Sequence, residues 1–344
     1  MPIELRDYQK PALDALLEHD RGILQAPCGS GKTIIAAAAL EALTRRPPYM
    51  YFVLWIANTN DQLAQAEEAC AAMDPAARAG LVIEFRHPAA GTCASDACVD
   101  ALIVDECHHA AADTWRAIIC ACHKALRVWG MSATPTREDD LKDDVFNLIG
   151  PVIHTIPAAA LGQHRVGAEV RMLCTGKDFA LYHDICDESG CAPGPDLEEW
   201  EKRRHWHALK RLGIDESQKR MDLLCHIAQH HVERGDSVLL IGSTIEQLER
   251  MQGCIPDSAV VHSRMGKKRR AETIEAARSG ELSCLLAVNL ADEGLDIPRA
   301  NILVMGAASK SKRLAEQRAG RVLRAFAEKE GALVYDVYDE WHVW

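Results

Sequence analysis

The chain has 344 residues, 48% of them apolar and 26% charged, and a formal net charge of −11. At ~100–200 residues per domain that length suggests two domains, and no run approaches the ~20 apolar residues that span a bilayer. The negative balance argues against a coat protein held on nucleic acid by long-range attraction, so any such contact has to come from a local basic surface.

The start, MPIELRDYQK, lacks the basic and apolar regions of a signal peptide, so a cytoplasmic, intracellular placement is expected. The thirteen cysteines are odd in number and irregularly spaced, and reduced thiols are the expectation. Short continuous apolar runs then alternate with helical stretches: GILQAP, MYFVLWIAN, ALIVDE and LRVWGMSAT, followed later by SVLLIGS, AVVHS, CLLAVN, NILVMGA and GALVYDVYD. Such runs, each followed by a helix, predict buried parallel strands of an α/β fold. They form two sets, one ending near Gly150-Pro151 and one beginning near Gly235. The predicted organisation is a lobe over 1–155, a second over 221–344, and between them a mixed segment, 156–220. That segment holds a Gly-Pro-rich loop and a charged helix over 197–212.

The first run leads into Ala26-Pro27-Cys28-Gly29-Ser30-Gly31-Lys32-Thr33 and then a helix. Glycines at 29 and 31 let backbone N–H groups turn inward around a polyphosphate at a helix N-terminus. Lys32 supplies a point charge for the phosphates and Thr33 a hydroxyl for Mg²⁺. The strict phosphate-loop pattern has glycine where this chain has Ala26. The run ALIVDECHH puts Asp105 and Glu106 at the carboxyl end of a strand, beside the phosphate loop in such folds. Mg²⁺ prefers oxygen ligands, so Asp105 is expected to hold the ion and Glu106 to polarise the attacking water. Cys107, His108 and His109 invite a zinc reading, with Cys93, Cys98, Cys120, Cys122 and His123 in reach, but consecutive side chains point different ways and zinc needs four in tetrahedral array. Cys107 is read as a small buried residue and His108 as a relay to MSAT.

With these segments in hand the chain resembles the superfamily 2 helicases of the DEAD/DEAH-like group over most of its length. LRDYQKPAL is similar to the adenine-reading segment, APCGSGKT to motif I, WIANTNDQLAQ to motif Ia, VDECHH to motif II and GMSATPTRED to motif III. VVHSRM is similar to a strand-contacting segment, LLAVNLADEGLDIPRA to motif V and EQRAGRVLRA to motif VI. The resemblance implies an α/β fold of two tandem RecA-like lobes, each a mostly parallel sheet flanked by helices. It implies ATP and Mg²⁺, with Arg6 and Gln9 at the base and Gly294 and Asp296 near the ribose and phosphates. Ser132 and Thr134 would couple ATP to strand binding. Asn58, Thr59, Gln62, His262, Ser263, Arg264 and Asn289 would meet nucleic acid. Gln317, Arg321 and Arg324 would complete the catalytic set; the two arginines, at i and i+3, share a helix face, and planar guanidinium suits phosphate oxygens. DECHH and QRAGRVLR lean toward the branch with the XPB, RadD and UvsW types, which favours DNA over RNA as the partner. Replication, recombination or repair is the expected setting, and a protein partner supplying specificity is possible.

One departure stands out: the usual motif between Ia and II is not recognisable, and FRHPAAGTCASDACVD occupies its place. No accessory domain is expected after the second lobe, and remodelling without long unwinding, or help from a partner, is the corresponding expectation. EEWEKRRHWHALKRLG interleaves Trp200 and Trp206 with basic residues. A surface helix with its tryptophans packed inward is preferred over a nucleic-acid grip. Lys267–Arg270 and SKSKR are read as solvated stretches ahead of phosphate contacts, and Cys174, His183, Cys186 and Cys191 as unrelated groups ahead of a zinc knuckle. An ATP-dependent DNA helicase or translocase is the expected function, with an RNA helicase or a nucleotide-switched clamp as alternatives.

Overall fold

The computed structural model describes residues 3–44, 50–135, 142–164, 167–176, 179–190, 198–288, 297–307, 329 and 331–338. The chain divides into two compact units, Met1–His164 and Arg165–Trp344.

In the first unit the elements follow as α1 (Lys10–Glu18), β1 (Arg21–Gln25), α2 (Lys32–Leu43), β2 (Tyr51–Ile56), α3 (Asn60–Ala71), α4 (Pro75–Ala79), β3 (Leu81–Arg86), β4 (Ala101–Asp105), α5 (Asp113–Ala121), β5 (Arg127–Ser132), α6 (Lys142–Ile149) and β6 (Val152–Thr155). The six strands form one sheet in the order β3-β2-β4-β5-β1-β6, parallel throughout. After β1 the chain skips two positions to β2, so β4 and β5 enter later beside it. That puts a topological switch at the carboxyl end of β1, where open α/β sheets bind ligands. Trp55 and Trp129 lie fully buried on this sheet, and Trp129 Nε1 donates to His19 O (3.0 Å). The alanine run of α2 is buried on nearly all sides, because small side chains let the helix sit close to the strands.

The second unit holds β7 (Ala168–Cys174), α7 (Phe179–Ser189), α8 (Glu199–Ala208), α9 (Gln218–Glu233), β8 (Val238–Gly242), α10 (Ile245–Gln252), β9 (Ser258–Val261), α11 (Lys267–Ser279), β10 (Cys284–Val288), β11 (Ile302–Met305) and β12 (Ala332–Tyr338). Its sheet runs β7-β12-β11-β8-β10-β9, again parallel. Two polar networks tie it together. Buried Arg220 donates from Nη2 to Gly306 O (3.2 Å) and Val337 O (2.7 Å), closing the ends of β11 and β12. His231 joins Asp236 through Nδ1 (2.7 Å) and Tyr335 through Nε2 (2.9 Å), while Asn301 Nδ2 donates to Asp236 Oδ1 (2.8 Å).

The nine apolar runs are all strands. The sequence reading has no strand at β3, β6 or β7. β7 lies inside the segment 156–220 read as a connector, yet it pairs with β12 along seven residues. The charged helix is shorter than 197–212: α8 ends at Ala208 and continues as a wider π-type turn, Leu209–Asp215.

Candidate active site

Three adjacent strands, β1, β5 and β4, end together. Gln25 is in register with Ser132, and Asp105 with Met131. Ala26 N donates to Ser132 O (3.0 Å), fixing the phosphate loop to the end of β5. Gly29 and Gly31 both take φ of +79°, a conformation that carries little cost only without a Cβ. The loop closes through Ser30 N on Pro27 O (3.2 Å) and opens into α2 at Lys32, with Thr33 in its first turn.

The N-terminal segment grips this loop from outside. Gln9, 4% exposed, accepts from Arg6 N (2.9 Å) and donates to Ser30 O (2.8 Å). Tyr8 Oη also donates to Ser30 O (3.3 Å), and Arg6 Nη1 donates to Tyr8 Oη (3.1 Å). A side chain at Gly31 would bring its Cβ to 2.4 Å from Gln9 Nε2. Tyr8 is a loop-holding residue that sequence reasoning missed; its position directly before Gln9 is the available signal.

Asp105 and Glu106 end β4. Burial, and then repulsion from Glu106, push the Asp105 carboxyl well above the usual carboxylate range; Lys32 and the N–H of Glu106 oppose this. Glu106 takes φ of +48°, a left-handed conformation that costs a non-glycine residue about 1–3 kcal/mol and clusters at functional sites. The turn Cys107–His109 follows. Its three side chains have separate tasks. Cys107 packs on Gly130, where a Cβ would meet its Sγ at 3.0 Å, and burial raises its thiol pKa well above the ordinary value. His108 Nδ1 lies 3.1 Å from Ser132 Oγ and 3.4 Å from Glu106 Oε2. His109 stacks on Trp115 with centroids 5.6 Å apart. Ser132 Oγ also accepts from Thr134 N (3.2 Å). His108 Nδ1 therefore stands between Glu106 and Ser132, and Ser132 Oγ in turn meets the main chain of Thr134. Among the described residues no group of three or more His, Cys, Asp or Glu side chains is arranged to hold a metal; Cys191 lies outside them.

The residues present fit a nucleoside triphosphate with a hard cation. The buried Ser30 Oγ has no hydrogen-bond partner, the loop is turned by its two glycines, and Thr33 and Asp105 offer oxygen alone. Lys32 Nζ donates to the loop's own Ala26 O (3.0 Å), an internal contact that a phosphate oxygen can replace.

At the carboxyl end of β2, Asn58 and Thr59 lead into α3. Thr59 Oγ1 accepts from Gln62 N (3.2 Å), and Gln62 Oε1 accepts from Asn58 N (3.1 Å) and Thr59 N (3.2 Å). The Thr59 and Gln62 side chains are thus engaged in capping. The second unit repeats the device after β8: Thr244 Oγ1 accepts from Gln247 N (3.1 Å), and Gln247 Oε1 accepts from Ser243 N (3.0 Å). The shared x-Thr-x-x-Gln spacing at 58–62 and 243–247 is a signal the sequence reading did not use. His262, Ser263 and Arg264 follow β9; His262 Nδ1 is buried without a hydrogen-bond partner. In the segment that replaces the missing motif, Arg86 Nη1 donates to Asp96 Oδ1 (2.7 Å) and Nη2 to Cys93 Sγ (2.9 Å). Asn289, Gly294, Asp296, Gln317, Arg321 and Arg324 lie outside the described residues.

Residues 2–137 match the family model for the res subunit of Type III restriction enzymes, in two adjoining pieces, and residues 219–326 match the helicase conserved C-terminal domain. The chain belongs to helicase superfamily 2. Within this superfamily it is 27% identical over 357 residues to the DNA 3'-5' helicase XPB of Kineococcus radiotolerans, covering 97% of this chain and 59% of that protein. It is 25% identical over 363 residues to the DNA 3'-5' translocase XPB2 of Sulfurisphaera tokodaii, covering 96% and 81%. Two further relatives are covered to 64% and 52% of their length, so the chain spans little more than half of several of these proteins. The fold is that of RecA-like helicase domains. The Hef helicase domain of Pyrococcus furiosus superposes with a TM-score of 0.61 at 14% identity, covering 97% of this chain and 95% of that one. The ATP-dependent Type ISP restriction-modification enzyme LlaBIII, bound to DNA, gives 0.67 at 16%, covering 98% and 28%. Superfamily membership implies ATP as the nucleotide. No helix among the described residues is long and apolar enough to cross a membrane.

Proposed function

We propose that the chain is an ATP-hydrolysing motor that moves on or remodels DNA inside the cell, in the manner of the XPB-type proteins it resembles. The observation that carries this is the convergence of the lysine loop, the Asp105–Glu106 pair and the His108–Ser132 contact at the ends of three neighbouring strands. A structural loop would need none of the buried, mutually repelling carboxylates.

In this reading Lys32 leaves Ala26 O for a phosphate oxygen, and the loop N–H groups and Ser30 Oγ orient the polyphosphate. Mg²⁺, when bound, would neutralise phosphate charge, held by Thr33 and Asp105. Glu106 takes the proton of the attacking water as general base. Arg6 and Gln9 read the base, and Gly294 and Asp296 border the ribose and phosphates. Arg321 and Arg324 supply the positive charge that a loose phosphoryl-transfer transition state demands, and Gln317 completes the catalytic set with its neutral carboxamide. The path from Glu106 through His108 and Ser132 to Thr134 passes the hydrolytic state toward the strand-contacting residues. Asn58, Thr59 and Gln62 meet the DNA backbone, Thr59 and Gln62 through the main chain they cap. Ser243 and Thr244 take the matching role in the second unit, with His262, Ser263, Arg264 and Asn289. A protein partner supplies site specificity. The test is ATPase rate with no nucleic acid and with single-stranded DNA, forked DNA and RNA. Stimulation by DNA above RNA is expected. Equal rates in every condition would remove the motor, and stimulation by RNA alone would transfer it to RNA.

A further inference from the structure

Helix α8 parts its two indoles. Trp206, half-buried, packs on the small cluster of Ile185, Ala208 and Leu209. Trp200 is turned outward and is 57% exposed. One turn on, Arg204 lays its guanidinium over the Trp200 ring, 5.9 Å from the centroid. Any side chain at Gly190 would meet Arg204 Nη2 at 3.1 Å.

Charge is sorted along the same helix. Glu198 and Glu201 form its capping box, Glu201 Oε2 accepting from Glu198 N (2.8 Å), so these carboxylates sit at the positive end of the helix dipole. Further on, Lys210 is bound to Asp215 (2.9 Å), and Arg211 to Glu188 and Glu216. Lys202, Arg203 and Arg204 between them are exposed, and among the described residues none pairs with a carboxylate. On a chain of net charge −11, Arg203 and Arg204, at i+3 and i+4 from Trp200, make a local basic face beside an open indole. It suits a ligand with a flat π-face and a run of negative charge, which is the chemistry of single-stranded nucleic acid.

We propose that Trp200, Arg203 and Arg204, which share one face of α8 at i, i+3 and i+4, form a stacking platform for single-stranded DNA that uses none of the residues following β2 and β9. One base lies on the indole, and the adjoining phosphates meet the two guanidinium groups. The proposal rests on the reading that the chain acts on DNA. Its energetic basis is stacking plus counterion release, so it tolerates any base and weakens with salt.

The test uses the full chain without nucleotide and a labelled dT20 strand, read by fluorescence anisotropy, with an abasic strand of equal length as comparison. Trp200→Ala should weaken dT20 binding by about 5- to 100-fold and leave the abasic strand unaffected, whereas Trp200→Phe should keep most of the affinity. Arg203→Ala should reduce the slope of log affinity against log salt by about 0.7, one phosphate contact. Unchanged dT20 binding by Trp200→Ala, or an equal loss on the abasic strand, would overturn the platform while leaving the motor reading intact. A wild-type chain that binds no dT20 would overturn both.

Discussion

Replacing Gly31 with alanine tests how the phosphate loop is built. A Cβ at φ +79° costs about 1–2 kcal/mol. The new methyl would also lie 2.4 Å from Gln9 Nε2, so the carboxamide has to swing away. It then gives up Ser30 O and Arg6 N, two hydrogen bonds at about 1 kcal/mol each. The expected loss is about 3–4 kcal/mol, which for a unit of this size lowers the melting midpoint by roughly 6–15 °C. The measurement is the thermal transition of the full chain, together with the affinity for a fluorescent ATP analogue, which should fall. Gln9→Ala alone forfeits the same two bonds. The double variant loses them only once, so it should cost about 2 kcal/mol less than the sum of the single variants. Strictly additive losses, or a neutral Gly31→Ala, would refute the claim that Gln9 braces the loop through this glycine.

Three further outcomes follow from the same geometry. His108→Ala removes the link to Ser132; ATP-analogue binding should persist while DNA stimulation of ATPase falls by about tenfold, the scale of one lost charge-adjacent hydrogen bond, and full stimulation would show the path to be idle. Arg220→Met strips buried donors from Gly306 O and Val337 O; about 3 kcal/mol of stability should be lost, read as an earlier urea midpoint, and an unchanged midpoint would contradict the role given to this arginine. Burial raises the Asp236 carboxyl, but hydrogen bonds from His231 and Asn301 outweigh it and hold the pKa below 3.8. A lowered carboxylate pKa contributes stability that is present above the unfolded value and lost as pH falls through the folded one. The stability gap between wild type and Asp236→Asn should therefore be present at about pH 5 and narrow as pH falls below about 3.8; a gap that widens over that acid range would reverse the sign assigned here.

The interior of both sheets was legible in sequence because β1, β2, β4, β5, β8, β10, β11 and β12 are largely buried on both faces and so read as continuous apolar runs. The three strands the runs did not reveal, β3, β6 and β7, are all sheet edges. β3 alternates, with Glu84 interrupting it, and β7 carries Glu169 and Arg171 and is exposed along nearly its whole length. An edge strand takes its place from pairing with a neighbour, which no local pattern records. The phosphate loop and the acidic pair were legible because their chemistry is local: consecutive residues at a strand end. The bracing of the loop by Tyr8 and Gln9 was not, since it joins residues 21 positions apart or more. The reading of α8 as a helix with both tryptophans packed inward holds for Trp206 and fails for Trp200. Helical spacing places the two six residues apart, on different faces, and only the packing of Trp206 against Ile185 shows which one is enclosed.

The most direct measurement is steady-state ATP turnover on single-stranded DNA by wild type and by Glu106→Gln. The wild type should turn over and be stimulated. Glu106→Gln should bind ATP and stall, with turnover reduced at least about a hundredfold, the contribution of a positioned general base. Turnover by Glu106→Gln at the wild-type rate would contradict the assignment of the hydrolytic centre to the end of β4.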